Sequence, residues 1–392
     1  MGSQAAALPP MSFGIEFEFL MFGKDLKPGA TLEAFQRNHP GIIPMPADED
    51  VIDSSRQCVI DYLRSNGVQI NDFTESDAAT PPSAPLGGHL PAIPGHVVRV
   101  PQVEYRRWTL KLDATVNLST EDNIGRKYEK YTALGFELTS PAFLDQPASH
   151  AEIRRVVGLL HHFHVHLNEN CSTHVHVGTG TTRMSFEPLH RIALLLWHVD
   201  CLLSPLHPEY RQDSIWCRRT RWYSYLARGM TAEQADDATI EVTLSKLPLT
   251  LDAGRAALLL AETIWALGRL MASSEKHNAA YEFRNYESAY MAADTKPTLE
   301  FRQAGGTMDG DWAVHWARIC VRLCEWGARE MQDDELEVLA RQCEEVEAGK
   351  KDSSSVLFGF LAYLGLDAEV NFLRNTTPDT RNGIANVVAL DP

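Results

Sequence analysis

The chain has 392 residues, 44% of them hydrophobic, which suffices for one large globular domain or two small ones. Its net charge of −16, with no basic run, argues against nucleic acid or an anionic membrane as the main partner and still allows a nucleotide held by a local pocket of cations and metal. Seven cysteines, an odd number without a Cys-x-x-Cys pair, point to a thiol-reduced cytoplasmic protein. Met1 to Met11 lacks a basic start and an apolar run, so no signal peptide is expected. No stretch reaches the ~18 apolar residues of a membrane span.

Ser12-Phe13-Gly14-Ile15-Glu16-Phe17-Glu18-Phe19-Leu20-Met21 alternates apolar and acidic residues and predicts a strand. Glu16 and Glu18 then share a face, about 6.6 Å apart by strand rise. Such a pair is either a solvated strand edge or a holder for Mg²⁺, a hard cation that prefers oxygen ligands. Residues 24–50 read as loop with a short helical piece. Val51 to Asn66 reads as a helix with Val51, Ile52, Val59, Ile60 and Leu63 on one face, closed by Asn66-Gly67. Residues 71–101, rich in Pro, Ser, Ala and Gly, read as a surface insertion.

Trp108 to Val116 predicts a strand with Thr109, Lys111 and Asp113 on the polar side. Asp113 reads either as a receiver for a cationic amine or as a turn former. Tyr131 to Pro141 predicts another strand, stopped by Pro141, with Glu137 between Phe136 and Leu138. Residues 151–167 predict an amphipathic helix with Ser149 as N-cap; His161, His162, His164 and His166 fall on different faces and make no metal cluster. His174-Val175-His176 predicts a strand that turns both imidazoles to one side, at a spacing that suits a metal or a phosphate.

Residues 187–204 predict a helix. The island Arg211, Arg218, Arg219, Arg221 and Arg228, interleaved with Trp216, Trp222, Tyr223 and Tyr225, is either an anion site or a loop clamped by arginines. Residues 252–272 predict one helix capped by Asp252. Thr298-Leu299-Glu300-Phe301-Arg302 predicts a strand with Glu300 and Arg302 on one face, a plain salt bridge or a metal ligand beside a phosphate fork. A helix follows from Asp311 to Met331, helical material over 334–365, and a polar, loose tail from Asn371. The acids and His176 all sit on strongly apolar strands. Four such acids repel one another unless cations neutralise them, and two or three Mg²⁺ completed by an ATP polyphosphate would do so.

Taken in order, Gly-Ile-Glu-Phe-Glu-Phe, Trp-x-x-x-x-Asp, Gly-Phe-Glu-Leu-Thr-Ser-Pro, Cys-x-x-His-Val-His-Val-Gly and Thr-Leu-Glu-Phe-Arg resemble the amidoligases. These belong to the carboxylate–amine ligase superfamily, with glutamine synthetase and glutamate–cysteine ligase. The resemblance implies an α+β fold: a curved, mainly antiparallel sheet of the glutamine synthetase-like kind, with helices on its convex face. It implies a catalytic domain over residues 11–330 that carries the 71–101 insertion, and a C-terminal helical extension, 331–392, packed on the same domain. It implies Glu16, Glu18, Glu137, His176 and Glu300 as ligands of Mg²⁺ or Mn²⁺ and of ATP phosphates. Arg302 would stabilise the transferred phosphoryl group, and Asp113 would receive the incoming amine. Arg284 and His174 would stand on the nucleotide and substrate side.

The chain departs from the family pattern at Ser172-Thr173, where Gly usually follows the Cys. It departs again at Arg284-Asn285-Tyr286 and Ala289-Tyr290-Met291, where Arg-Tyr and Ala-Leu-Asn are usual. The implied reaction is ATP-dependent joining of a small-molecule carboxylate and an amine through an acyl phosphate. Two alternatives stand beside it. One is a metal-dependent amidohydrolase-type hydrolase, which requires a parallel βα repeat. The other is an inactive nucleotide-binding protein of the same fold, or its variant that phosphorylates a guanidino group.

Overall fold

The computed structural model describes residues 8–27, 29–45, 51–71, 106–118, 130–180, 182–212, 214–236, 248–273, 279–283, 286 and 298–381. Its frame is one nine-stranded sheet: β1 Ser12–Asp25, β2 Ile43–Met45, β3 Thr109–Leu112, β4 Thr132–Thr139, β5 Phe143–Leu144, β6 Val165–His166, β7 Ser172–Gly178, β8 Tyr281–Glu282 and β9 Thr298–Gly305. The main path runs β3-β4-β1-β7-β9-β8, and β2, β5 and β6 also pair with β1. The β1–β2 pair is parallel, whereas β1 runs antiparallel to β4, β5, β6 and β7, as do the remaining ladders. The fold is therefore α+β with a large antiparallel open sheet, and the described strands contain no parallel βα repeat of the kind the hydrolase alternative requires.

Alternation sorts the strand residues to two faces. One face is apolar: Phe13, Ile15, Phe17 and Phe19 of β1, Leu110 of β3, Phe136 and Leu138 of β4, Val175 and Val177 of β7, and Leu299 and Phe301 of β9 are all buried. Burying each such side chain contributes about 1.5–3 kcal/mol. The helix Gly310–Glu325 packs on this face against β1 and β7 and also meets the helix Pro147–Leu160. Beyond it lies Phe186–Leu203, buried along nearly its whole length and packed by Leu251–Leu259, Ile264–Met271, Asp333–Glu347 and Ser353–Tyr363. By length and composition the stretch Phe186–Leu206 could cross a membrane, but 89% of its apolar window is buried inside the protein, as in a core helix.

Several boundaries differ from the sequence reading. The helix predicted over 151–167 is Pro147–Leu160, because Pro147 stands in its first turn and Gln146, not Ser149, is the N-cap. Its expected last turn leaves the axis: His164 N–H donates to Gly41 C=O at 2.9 Å, and Val165–His166 pairs with β1. The four histidines are thereby spread over a turn and a strand, and His162 stacks on Tyr62 at 4.2 Å. The single helix expected at 252–272 is two, Leu251–Leu259 and Ile264–Met271, capped by the hydroxyls of Thr250 and Thr263 rather than by Asp252. The strand expected through Val116 ends at Leu112, where Asp113 turns the chain by accepting from Thr115 N at 2.8 Å. The tail from Asn371 is ordered through Arg381, in the helices Asp367–Arg374 and Pro378–Arg381. Residues 72–105, which hold nearly all of the predicted insertion, and Arg284 lie outside the described residues.

Candidate active site

The second face of the sheet carries the charges. Register pairs Glu18 with Glu137, Lys111 with Glu137, Glu16 with His174, His176 with Glu300, and Glu282 with Glu300. Directly paired residues point to the same side. A band therefore runs across β3, β4, β1, β7, β9 and β8. Glu16, Glu18, His174, His176, Glu282 and Glu300 in this band are all 9% exposed or less.

The acids and histidines converge on two centres. Ligand atoms of Glu16, His174 and Glu300 lie within 4.8 Å of one another, as do those of Glu18, Asp113 and Glu137. At the first centre His174 Nδ1 is 3.2 Å from Glu300 Oε1, 3.5 Å from Glu16 Oε2 and 3.8 Å from Glu18 Oε1. His176 Nε2 approaches Glu16 Oε1 at 3.1 Å and Glu300 Oε1 at 4.0 Å, without a well-directed hydrogen bond, while its Nδ1 meets Thr298 Oγ1 at 3.1 Å. At the second centre Thr139 donates to Glu137 Oε1 at 3.0 Å, and Glu18 Oε2 accepts the Ser172 N–H at 2.9 Å.

Arg302 is the main cation of the band. Its Nη1 bonds Glu300 Oε1, and its Nε donates to Trp216 C=O at 3.4 Å. Burial works against the Arg302 charge, yet Glu300, Glu18, Glu282 and Glu16 together raise its pKa above the ordinary arginine value. Burial likewise works against the Glu300 carboxylate, but Arg302, His176 and His174 outweigh it and hold its pKa below the usual range. Lys111 lies beside Glu137 at the β3 end of the band.

Six buried or half-buried carboxylates, Glu16, Glu18, Asp113, Glu137, Glu282 and Glu300, and two imidazoles, opposed by Arg302 and Lys111, form an oxygen-rich donor set with some nitrogen. Such a set fits Mg²⁺ or Mn²⁺. This many carboxylates, set against one arginine and one lysine, are costly to desolvate, and a further cation would offset that cost.

Of the residues singled out in the sequence, Glu16, Glu18, Glu137, His174, His176, Glu300, Arg302 and Asp113 all lie on this band or at its rim. Asp113 stands with Glu18 and Glu137, and it also closes the turn on Thr115. The arginine island separates into clamps. Arg211 donates to the carbonyls of Arg302 and Gln303, and Arg221 forms a fork on Glu347 while its guanidinium lies over Trp197. Arg218 and Arg228 both lie over the Tyr223 ring. Three polar residues of the band escaped the sequence reading. Glu282 had a usable signal, an acid between Tyr281 and Phe283. Ser172 continues the period-two series of His174 and His176 by one step, and Thr298 does the same for Glu300.

The family described as "Putative amidoligase enzyme" matches residues 9–324, more than three quarters of the chain. No curated protein matches it.

Proposed function

The chain belongs to the amidoligase family, and from that premise we propose that it is an ATP-dependent carboxylate–amine ligase working through an acyl phosphate. The observation that carries the reading is the pair of centres, Glu16–His174–Glu300 and Glu18–Asp113–Glu137, side by side on one face of an antiparallel sheet. Two adjacent cation sites suit a polyphosphate substrate. The same arrangement supports a glutamine synthetase-like sheet, its polar face bearing substrates and its apolar face bearing helices.

In this reading Glu16, Glu300 and His174 would hold one divalent ion and Glu18 and Glu137 the other. His174 takes the ligand role ahead of His176 because its ring nitrogen clusters with oxygens of both Glu16 and Glu300, whereas His176, 3.1 Å from Glu16, stands 4.0 Å from Glu300. Mg²⁺ or Mn²⁺ held there would supply charge neutralisation along the β- and γ-phosphates. His176, bonded to Thr298, borders the first centre and faces the phosphates. Arg302, fixed by Glu300 and the Trp216 carbonyl, presents its remaining N–H groups to the transferred phosphoryl oxygens.

A carboxylate oxygen of the acid substrate attacks the γ-phosphorus of ATP, and the bond to ADP breaks. The amine then attacks the acyl carbon, phosphate leaves, and an amide remains. Asp113, partly exposed at the rim, takes the proton the amine gives up. None of the seven cysteines is disulfide-bonded, which supports a reduced, cytoplasmic setting.

The test is trapping with hydroxylamine. Mg-ATP, hydroxylamine and a panel of amino and dicarboxylic acids should give a hydroxamate and ADP with at least one acid. Glu300→Ala should abolish both. ATP binding without hydroxamate on any acid would instead favour a nucleotide-binding protein or a guanidino phosphotransferase.

A further inference from the structure

Ser172 opens β7, and the structure gives its hydroxyl two partners. Its Oγ bonds Glu18 Oε2, the same oxygen that accepts its backbone N–H at 2.9 Å, and lies 2.8 Å from His174 Nε2. All three residues are buried. A hydroxyl has one proton to give, and a carboxylate oxygen can only accept. The Ser172 proton therefore goes to Glu18, and the hydroxyl lone pair is left to receive a proton from His174 Nε2. A neutral imidazole with its proton on Nε2 has a bare lone pair on Nδ1. Nδ1 lies 3.2 Å from Glu300 Oε1 and 3.5 Å from Glu16 Oε2, so that lone pair suits a cation held between the two carboxylates.

We propose that Ser172 is a positioning residue that fixes His174 in the tautomer with Nε2 protonated, so that Nδ1 faces the cation site. Because the same hydroxyl holds Glu18, Ser172 also joins the two centres: Glu18 ligates in the second, His174 in the first. The proposal rests on the divalent-cation reading of this face. Partners of this kind orient a ligating histidine, and their removal typically costs 10–100-fold in metal affinity.

The test is Mn²⁺ binding to the full chain by calorimetry, with the thermal midpoint of each variant as a check on folding. Ser172→Ala should bind Mn²⁺ at least about tenfold more weakly than the unsubstituted chain. Ser172→Thr, which keeps the hydroxyl, should recover most of that loss. Nitrogen NMR of histidine-labelled protein with Mg²⁺ bound, its His174 signal assigned by substitution, should show the proton on Nε2. A folded Ser172→Ala variant with unchanged Mn²⁺ affinity would overturn the proposal, and so would a His174 protonated on Nδ1. The NMR result on the unsubstituted chain decides the matter if Ser172→Ala does not fold. An unsubstituted chain that binds no Mn²⁺ would remove the cation reading itself, an outcome distinct from the other two.

Discussion

Glu300 shares one carboxylate oxygen between Arg302 and His174, and Arg302 in turn answers to Glu16, Glu18 and Glu282 as well. The guanidinium thus offsets part of the negative charge of the band. Arg302→Met should lower stability by about 3–5 kcal/mol, the usual cost of removing one partner of a buried ion pair. Saturating Mn²⁺ should recover part of it. Denaturant unfolding with and without Mn²⁺ measures both, and a curve superimposable on that of the unsubstituted chain would contradict this role. A second prediction concerns His198, on the buried helix Phe186–Leu203. Burial depresses its pKa from 6.5 to about 4, against which the Leu194 carbonyl bond is a smaller, opposing influence. The unfolded chain therefore takes up a proton on this residue first as pH falls. The stability owed to neutral His198 is complete above about pH 6.5 and is lost between there and about pH 4, some 3 kcal/mol in all. His198→Leu should flatten that part of the stability profile; an unchanged slope would mean other groups carry it. The acids were legible in the sequence because apolar neighbours on a strand leave them nowhere else to point. The role of Ser172 was not, because its place in the period-two series does not disclose its partners, Glu18 on β1 and His174 on β7, until the strands are paired.

At the scale of elements, alternation located the main strands, while the short ones, β2, β5, β6 and β8, are created by pairing with β1 or β9 and have too few residues to show a period. The turn after β3 is the clearest case of context deciding. Residues 109–116 alternate as a strand should, but Asp113 bonds Thr115 and the chain bends there. Gly135 of β4 makes room for that bend: a Cβ on it would meet the carbonyl oxygens of Val116 and Asp113 at 2.0 and 2.4 Å. Backbone cannot yield as a side chain can, so Gly135→Ala should displace the Asp113 turn and destabilise the fold by about 1–3 kcal/mol. Because Glu137 lies two residues on in the same strand, the change should weaken the Glu18–Glu137 site for Mn²⁺ while sparing Glu16–His174–Glu300. Equal loss at both centres would contradict this account of the turn. The split of the helix expected at 252–272 has a similar cause: Thr263 caps Ala266 at 3.1 Å and starts a new helix where hydrophobic periodicity alone ran on.

At the scale of the molecule, described residues between 331 and 381 pack on the helices behind the sheet. Asp333–Glu347 packs on the buried helix Phe186–Leu203. Glu369 is buried and bonds Arg318 and, at 2.9 Å, His315, both on the helix that backs the sheet. The guanidinium of Arg381 lies over Trp312 and donates to Leu206 C=O at 3.0 Å. A chain ending at residue 330 should therefore lose cooperative unfolding, and recovery of a cooperative transition in that truncation would show the extension to be dispensable. Arg381 was invisible in a tail from Asn371 read as polar and loose, and Glu369 just before it carried no signal either, since both are polar residues buried by partners distant in sequence. On the proposed reading, the acidic band is a cradle for two divalent cations. The most direct measurement is an equilibrium Mn²⁺ titration of the full chain with an ATP analogue that cannot be hydrolysed, set beside Glu300→Gln and Glu137→Gln. Two ions per chain, one lost in each variant, is the predicted result. No bound Mn²⁺, or a count that neither substitution changes, would contradict it.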